Sequence, residues 1–514
     1  MKMTITPADM KALETRFMAE NHIPGALLME HAALGVVDAI ARYTSKGTVV
    51  FLCGPGNNGG DGYAAARLWQ ARGGDSHIIE VTEIAHGDAL LNRQKALDAG
   101  IPCELARDDA YYDLPPCDAI VDALFGTGLA RPVDGAAAHL IHCANDMTDF
   151  HDVPIIAVDI PSGIDGTTGK VLGWEAVRAT ETVTFHRIKQ GLLLGDAPDY
   201  VGRLTVQPIL IPLGGDLDYE YDGLEIYEPD DLTRKPLPLF HRPQLCHKGD
   251  FGRVLLFCGS RGMAGAAGLC ANAAMRAGAG LTTILCRESL LPILQTLAPG
   301  AMCAVLPERN GVLLPDAADI AREALSRADA ACIGCGLGQT DDLLPLFPLF
   351  AKANCPVVWD ADALNLLAKH HDRLPLKDAD VITPHPGEAA RLLGCTTSEV
   401  TDDAISALRR LHDKYGCTVL LKGARSLITD GETTCCNLHT SPALAKGGSG
   451  DVLAGIITAL LARRINPLES VDAAAYGTLI HGLAGIRAAK RHGENCTLPT
   501  DVVDCIRLDS EGLD

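Results

Sequence analysis

Short apolar runs that end in glycine-bearing turns, each followed by a helical pattern, constrain the fold of this chain more than any other feature. From Thr48 they read TVVFLC, DAIVDALF and PIIAVDI. Such alternation is the pattern of βαβ units and implies a parallel sheet. Around Leu213 to Gly223 it breaks into LGGDLDYEYDG, followed by the proline-rich, charged EPDDLTRKPLPLFHRP, which places a domain boundary near Asp222. A fresh series then begins with RVLLFCGS, TTILC, AACIGCG, PVVWDADAL, DVITPHPGE and TVLLKG. At 514 residues the chain exceeds what one core usually supports. We therefore expect two α/β domains, residues 1–222 and 223–514, without a repeat of fixed period.

Composition narrows the function classes. Hydrophobic residues at 47%, aromatics at 4% and 52 glycines suit an Ala/Gly-rich α/β enzyme. A formal charge of −21 argues against a broad nucleic-acid surface, whose affinity comes from clustered Lys and Arg. The stretch Gly265 to Cys286 is interrupted by Asn272 and Arg276, and the run ending at Ala462 is too short to span a bilayer, so no membrane partner is expected. The opening MKMTITPADMKALE lacks the apolar core of a secretory signal, and we expect a cytoplasmic protein, as a homo-oligomer. Most of the 18 cysteines sit singly in apolar runs, as Cys53 and Cys258 do, and read as buried thiols. The one C-x-x-C, Cys332 and Cys335, falls short of a zinc ligand set by itself and is expected to be structural.

In the first half, TVVFLCGPGNNGGDGY puts a buried strand, a glycine-dense loop and a helix in succession. Glycine permits close backbone approach, the helix start offers unpaired N–H groups to a phosphate, and Asn57, Asn58 and Asp61 add polar ligands. Two more strands end similarly, at Asp122 to Pro132 and at Asp159 to Gly169. Ligands of open parallel sheets collect at the carboxyl ends of strands, so Asp122, Asp159 and Ser162 can meet the Asn58 loop in one pocket. Tight packing alone also explains a glycine-rich turn, and Asp159 reads equally as a loop-capping carboxylate.

In the second half, Gly447 to Asp451 precede a helix whose Val452, Ile456 and Leu460 recur every four residues. Asp451 at a helix start can accept a hydroxyl proton while neighbouring amides stabilise phosphoryl oxygens, or it can simply cap the helix. Lys422 ends an apolar strand before Gly423, a place to meet a nucleotide phosphate. His385, between two prolines in TPHPGE, is presented from a restricted turn.

These motifs carry a family resemblance. GPGNNGGDGY, LFGTGL and DIPSGIDGTTG, over roughly Thr6 to Pro212, resemble the YjeF N-terminal family of NAD(P)H-hydrate epimerases. HKGDFGRVLLFCGS, GMAGAAGLCANAAMRAGAG, GCGLG, WDADALN, TPHPGE, LLKGARS and KGGSGD resemble the ribokinase-like YjeF C-terminal family of NAD(P)H-hydrate dehydratases, with Cys335 where that family is expected to carry proline. The resemblance implies a Rossmann-like three-layer sandwich followed by a ribokinase-like one. It implies that Asn57, Asn58, Gly59, Gly60 and Asp61, with Gly126, Thr127, Gly128, Leu129, Ala130, Arg131 and Pro132, hold the hydrated cofactor, with Asp159 at the nicotinamide. It implies a potassium ion at Asn58, Asp122 and Ser162. In the second domain it implies that Ala266, Gly338, His385 and Asp451 contact the hydrated nicotinamide, and that Lys422, Gly423, Ala424, Arg425, Ser426 and Gly450 bind the adenine nucleotide.

The implied chemistry is epimerisation of R and S hydrates of NADH and NADPH, then dehydration of the S form with ADP and magnesium, giving AMP and phosphate. Asp451 would direct the hydrate's hydroxyl at the terminal phosphoryl group, making phosphate the leaving group. The competing reading is a ribokinase-like kinase for a vitamin or sugar alcohol, with a non-catalytic nucleotide-binding first domain. It leaves Asn58, Asp122, Asp159 and Ser162 without a task.

Overall fold

The computed structural model describes residues 2–82, 87–106, 114–212, 223–232, 241–370 and 376–508. The chain divides into two compact units, Met3–Leu224 and Glu225–Asp514, the latter taking in Met1–Lys2. Asp222, where the sequence pattern breaks, lies outside the described residues.

The sheet of the first unit contains β1 (Thr48–Cys53), β2 (Asp75–Glu80), β3 (Cys103–Leu105), β4 (Ala119–Ala123), β5 (Ile155–Val158), β6 (Glu181–Phe185) and β7 (Arg203–Gln207). They run in the order β3-β2-β1-β4-β5-β6-β7, and every neighbouring pair is parallel. Side chains alternate across a strand, and both faces of β1 are buried. Val49, Phe51 and Cys53 join one cluster with Val36 and Val37 of α2 (Gly25–Ile40) and Tyr63 of α3 (Asn57–Ala71). Val50 and Leu52 join another with Leu140 and Ile141 of α4 (Gly135–His151). The apolar runs lack a polar alternate for this reason: each residue is covered by one helical layer or the other, at about 1.5–3 kcal/mol per large side chain. Strand order reverses between β1 and β4, which opens a crevice at their carboxyl ends.

The second unit repeats the logic with β8 (Arg253–Phe257), β9 (Leu281–Arg287), β10 (Met302–Leu306), β11 (Ala330–Ile333), β12 (Val357–Trp359), β13 (Val381–Ile382) and β14 (Thr418–Leu421). These are parallel in the order β14-β13-β12-β11-β8-β9-β10, and Leu427–Thr429 pairs antiparallel with β14. On one face Val254, Leu256 and Cys258 pack with the helix that follows, Ala264–Arg276, together with Val452, Ile456 and Leu460 of a later one. In chain order the helices used below are α1 (Pro7–Asn21, of the first unit), α6 (Ala264–Arg276), α7 (Pro386–Leu393), α8 (Ser449–Leu461) and α9 (Ser470–His492). On the other face Phe257 stacks on Phe350 with centroids 5.7 Å apart, and Phe347 lies against Trp359. Both units are thus three-layer α/β sandwiches, as expected. The apolar stretch from Gly265 divides into α6 and β9, and no helix among the described residues is long and apolar enough to cross a membrane.

Candidate active sites

In the first unit, Asp122 is the penultimate residue of β4 and is fully buried. Its carboxylate accepts hydrogen bonds from Ser162 N (2.7 Å), Ser162 Oγ (2.6 Å) and Leu124 N (3.2 Å). Burial lifts its pKa to about 6 despite those bonds, and among the described residues no cationic side chain offsets the desolvation. Phe125 N donates to Ser162 Oγ (2.9 Å), and a Cβ on the next residue, Gly126, would stand 2.9 Å from Asn58 Oδ1. Asn58, Asp122 and Ser162 therefore gather around residues 124–126. Asn58 Nδ2 is buried without a hydrogen-bond partner, and rotating the amide would exchange it for an oxygen. A buried, uncompensated carboxylate with hydroxyl and amide oxygens beside it fits a hard monovalent cation.

Asp159 follows β5 with φ +65°, a conformation Asp tolerates better than most residues. Its Oδ1 accepts from Lys189 Nζ (2.6 Å), Thr184 Oγ1 (3.0 Å) and Phe185 N (3.4 Å). Lys189 Nζ also donates to Phe185 O (2.9 Å). Ile5 bridges to the Lys189 segment through Ile5 N to Ile188 O and Gln190 N to Ile5 O, which brings α1 and its Glu14 toward this pair. Burial, partly offset by Lys189, raises the Glu14 carboxyl to about 7. Asp61 is pushed well above the carboxylate range by burial and by the charges of Asp159 and Glu14. Asp159 is thus one of three carboxyls around one ammonium, and its carboxylate holds a buried ion pair as well as the backbone N–H of Phe185.

The glycine-dense loop is shorter than its sequence suggests. Helix α3 begins at Asn57, so Asn57, Asn58, Gly59, Gly60 and Asp61 form its first turn, with Gly59 pressed against the Gly54 carbonyl where no side chain fits. Asn57 is exposed, whereas Asp61 faces the Asp159 cluster instead of an open phosphate position. Of the 126–132 loop, Gly128, Ala130, Arg131 and Pro132 are exposed, and Gly126, Thr127 and Leu129 half-buried.

In the second unit, α8 is capped by Gly448 at φ +100°, a value suited to glycine, and Asp451 lies in its first turn without capping it. Burial first, then repulsion from Asp360, raises Asp451 to about 6, with Lys422 pulling the other way. Lys422 leaves β14 and donates to Asp360 Oδ1 (2.7 Å), with Glu388 Oε2 at 3.9 Å. Two buried carboxylates thus hold the Lys422 ammonium. A Cβ on Gly450 would lie 3.5 Å from Lys422 Nζ, so the ammonium, Asp360 and the α8 start converge.

His385 caps α7, accepting from Gly387 N through Nδ1 (3.0 Å) while Glu388 accepts from His385 N (2.9 Å). Half its ring stays exposed, presented from the turn between prolines. Gly338 N donates to Asp362 (2.8 Å), and the preceding Gly336 packs against Ala266. Asp362 in turn acts on Asp451, which joins the Ala266–Gly338 loop to the Asp451 group.

Beside these residues is a cavity of about 440 Å³ lined by Lys422, Gly423, Ala424, Ser426 and Gly450, together with Asn437, Lys446, Ser449, Thr478 and His481. Arg425 is absent from its lining, since its guanidinium bonds the Leu438 carbonyl. His481 is fully buried, with its pKa down to about 4 through burial and Lys422, and its neutral ring meets Ser449 Oγ at 3.2 Å. Sequence reasoning passed over Glu14, Lys189, Asp360, Glu388 and His481. Asp360 and Glu388 stood inside WDADALN and TPHPGE, whereas Glu14, Lys189 and His481 stand in no motif.

Residues 254–508 match a family described as NAD(P)H-hydrate dehydratase, and residues 25–191 match the YjeF-related protein N-terminus. The chain is 38% identical over 464 residues to the bifunctional NAD(P)H-hydrate repair enzyme Nnr of Escherichia coli K12, covering 89% of this chain and 84% of that protein. It is 35% identical over 524 residues to the enzyme of the same name from Moorella thermoacetica, covering 97% and 95%. Among solved structures, a Bacillus subtilis ADP/ATP-dependent NAD(P)H-hydrate dehydratase co-crystallised with ATP and Mg2+ aligns with TM-score 0.44 and 26% identity, over 52% of this chain and 91% of that one.

Proposed function

Because the chain belongs to the family of bifunctional NAD(P)H-hydrate repair enzymes, we propose that Asp159 and Asp451 carry its two reactions, epimerisation and nucleotide-dependent dehydration. The observation that supports this reading best is the convergence of Asp451, the Lys422–Asp360 pair and the α8 start beside one cavity.

In the dehydratase unit Asp451 takes the proton of the hydrate's hydroxyl as its oxygen attacks the terminal phosphoryl group of ADP. With a pKa near 6 the carboxylate is mostly ionised at neutral pH yet basic enough to help. Lys422 and the amides at the start of α8 hold the phosphoryl oxygens. Phosphate then departs from the ring carbon, driven by the ring nitrogen, and loss of the neighbouring ring proton restores the dihydronicotinamide. Asp360 and Glu388 share one ammonium, an excess of negative oxygen that fits magnesium. Bound there, magnesium would neutralise charge on the transferring group. Ala266, Gly338 and His385 line the nicotinamide side, and Gly423, Ala424, Ser426 and Gly450 the adenine nucleotide side.

In the epimerase unit the C6 hydroxyl leaves and water returns to the opposite face. Glu14, near 7, donates to the departing hydroxyl, and Asp159, held by Lys189, accepts the proton of the returning water; Asp159 then releases that proton to solvent and Glu14 takes one up, which restores both groups. The first turn of α3 and the 126–132 loop bind the rest of the cofactor. Asn58, Asp122 and Ser162 would hold potassium, whose chemistry is to fix the loop that contacts the substrate. The same proposal has the enzyme acting in the cytoplasm, as a homo-oligomer, on both NADHX and NADPHX.

The test is recovery of reduced-nicotinamide absorbance from mixed R and S hydrates with ADP, ATP or neither. Wild type converts the whole mixture with ADP. Asp451→Ala converts none, and Asp159→Ala converts the S half and then slows. Recovery without nucleotide, or undiminished recovery in Asp451→Ala, would refute the assignment.

A further inference from the structure

Four cysteines from four separate places in the second unit meet in its core. Cys258 follows β8, Cys270 is in the middle of α6, Cys332 is on β11 and Cys335 is in the turn after it. All four side chains are fully buried, and their Sγ atoms all lie within 4.8 Å of one another. Among the described residues this is the one group of His, Cys, Asp or Glu side chains close enough to share an ion. The C-x-x-C that lacked partners in the sequence has two of them here.

We propose that these four thiols form a tetrahedral site for a soft divalent metal ion, zinc in the first instance, placed directly behind the dehydratase site. Zinc–sulfur bonds of about 2.3 Å set tetrahedral S···S edges at about 3.8 Å, so the thiols need to draw in by at most about 1 Å. Thiolates select zinc over magnesium, which takes oxygen donors, so the ions of the two sites do not compete. On binding, four S–H bonds break, four Zn–S bonds form and four protons pass to solvent.

The positions of the ligands are set by close backbone packing. Gly259 N donates to Cys335 O (2.8 Å), and Gly336 leaves room for Ala266 and Met263 of the α6 start. Gly455 of α8 packs on the Cys270 carbonyl. Cys335 Sγ lies 3.8 Å from Asp360 Oδ2, and Asp360 pairs with Lys422, which puts the Lys422 ammonium near the doubly negative complex. A metal here would fix the Gly334–Gly338 turn, whose last residue is held by Asp362 on the substrate side.

The experiment uses the full chain, purified without chelator and analysed for metal by mass spectrometry, then stripped under reducing conditions and titrated with cobalt(II). The expected results are zinc at one equivalent per chain and a cobalt complex with intense thiolate charge-transfer and tetrahedral ligand-field absorption. Both should be lost in Cys270→Ala and in Cys332→Ser. Folding of the variants is checked by circular dichroism, and the wild-type cobalt titration stands independently of them. Sub-stoichiometric metal together with a cobalt spectrum lacking thiolate bands would overturn the proposal. So would a mass lower by two or four hydrogens, which would show disulfides among these cysteines instead.

Discussion

Lys189 Nζ and Asp159 Oδ1 lie 2.6 Å apart, and the lysine side chain is only 1% exposed. A buried ammonium is tolerable only with such a partner, and the partner is the residue assigned to epimerisation. Removing one member leaves the other uncompensated, which typically costs about 3–5 kcal/mol. Lys189→Met is expected to destabilise the first unit by roughly that amount and to abolish epimerisation, leaving dehydration of pure S hydrate intact. Urea denaturation with separate R and S assays checks it.

Glu14 gives the epimerase a pH signature. Its pKa rises from 4.5 to about 7 on folding, so the folded unit binds more protons than the unfolded chain between those values. Stability therefore falls as pH rises from about 4.5 through about 7, by up to about 3 kcal/mol. Glu14→Gln should flatten that decline. It should also remove the loss of epimerisation rate above pH 7 and lower the maximum rate, as read from pH profiles of both proteins.

Asp122 is a buried carboxylate with no cationic side chain beside it among the described residues. Potassium should raise the melting temperature of the first unit in wild type and speed epimerisation, and sodium should do less. Asp122→Asn should be insensitive to either ion in differential scanning calorimetry. An unchanged potassium response in Asp122→Asn would remove the cation from this site.

Lys422→Met should raise the KM for ADP roughly tenfold or more, the scale of a hydrogen bond to a charged group. It also leaves Asp360 and Glu388 facing each other. Asp360→Asn in the same chain should recover part of the stability but not the nucleotide affinity. Nucleotide titration by calorimetry and chemical denaturation separate the two effects.

Gly455→Ala tests the helix packing behind the site. Alanine favours a helix by about 1 kcal/mol over glycine. Its Cβ would, however, strike the Cys270 carbonyl, backbone that cannot rotate away. Overpacking of that kind costs about 1–3 kcal/mol, so net destabilisation of the second unit is expected, read as a lowered melting temperature.

The α/β class, both series of strands and the residues at their carboxyl ends were all legible, because strands buried on both faces have no polar alternates and glycine must stand where backbones touch. The start of α8 was equally plain from the spacing of Val452, Ile456 and Leu460. The glycine-dense loop was misjudged, since Asn and Gly argue against a helix in isolation and only packing of α3 on β1 makes Asn57 helical. Arg425, implied by its motif as a nucleotide ligand, has its guanidinium on the Leu438 carbonyl, a direction that motif membership does not fix for a long side chain.

By itself the sequence determined two α/β domains built on parallel strands and the family, and it singled out Asp159 and Asp451 as the carboxylates proposed for the two reactions, because local periodicity and short motifs carry that information. Tertiary structure decided the partners of those carboxylates. Lys189 and Glu14 reach Asp159, Asp360 and Glu388 reach Lys422, and four cysteines reach one another, across separations that local pattern does not encode. The physical reason is that a pKa, an ion pair or a metal site depends on which groups share a dehydrated volume, and the folding of the sheets and their helices sets that volume.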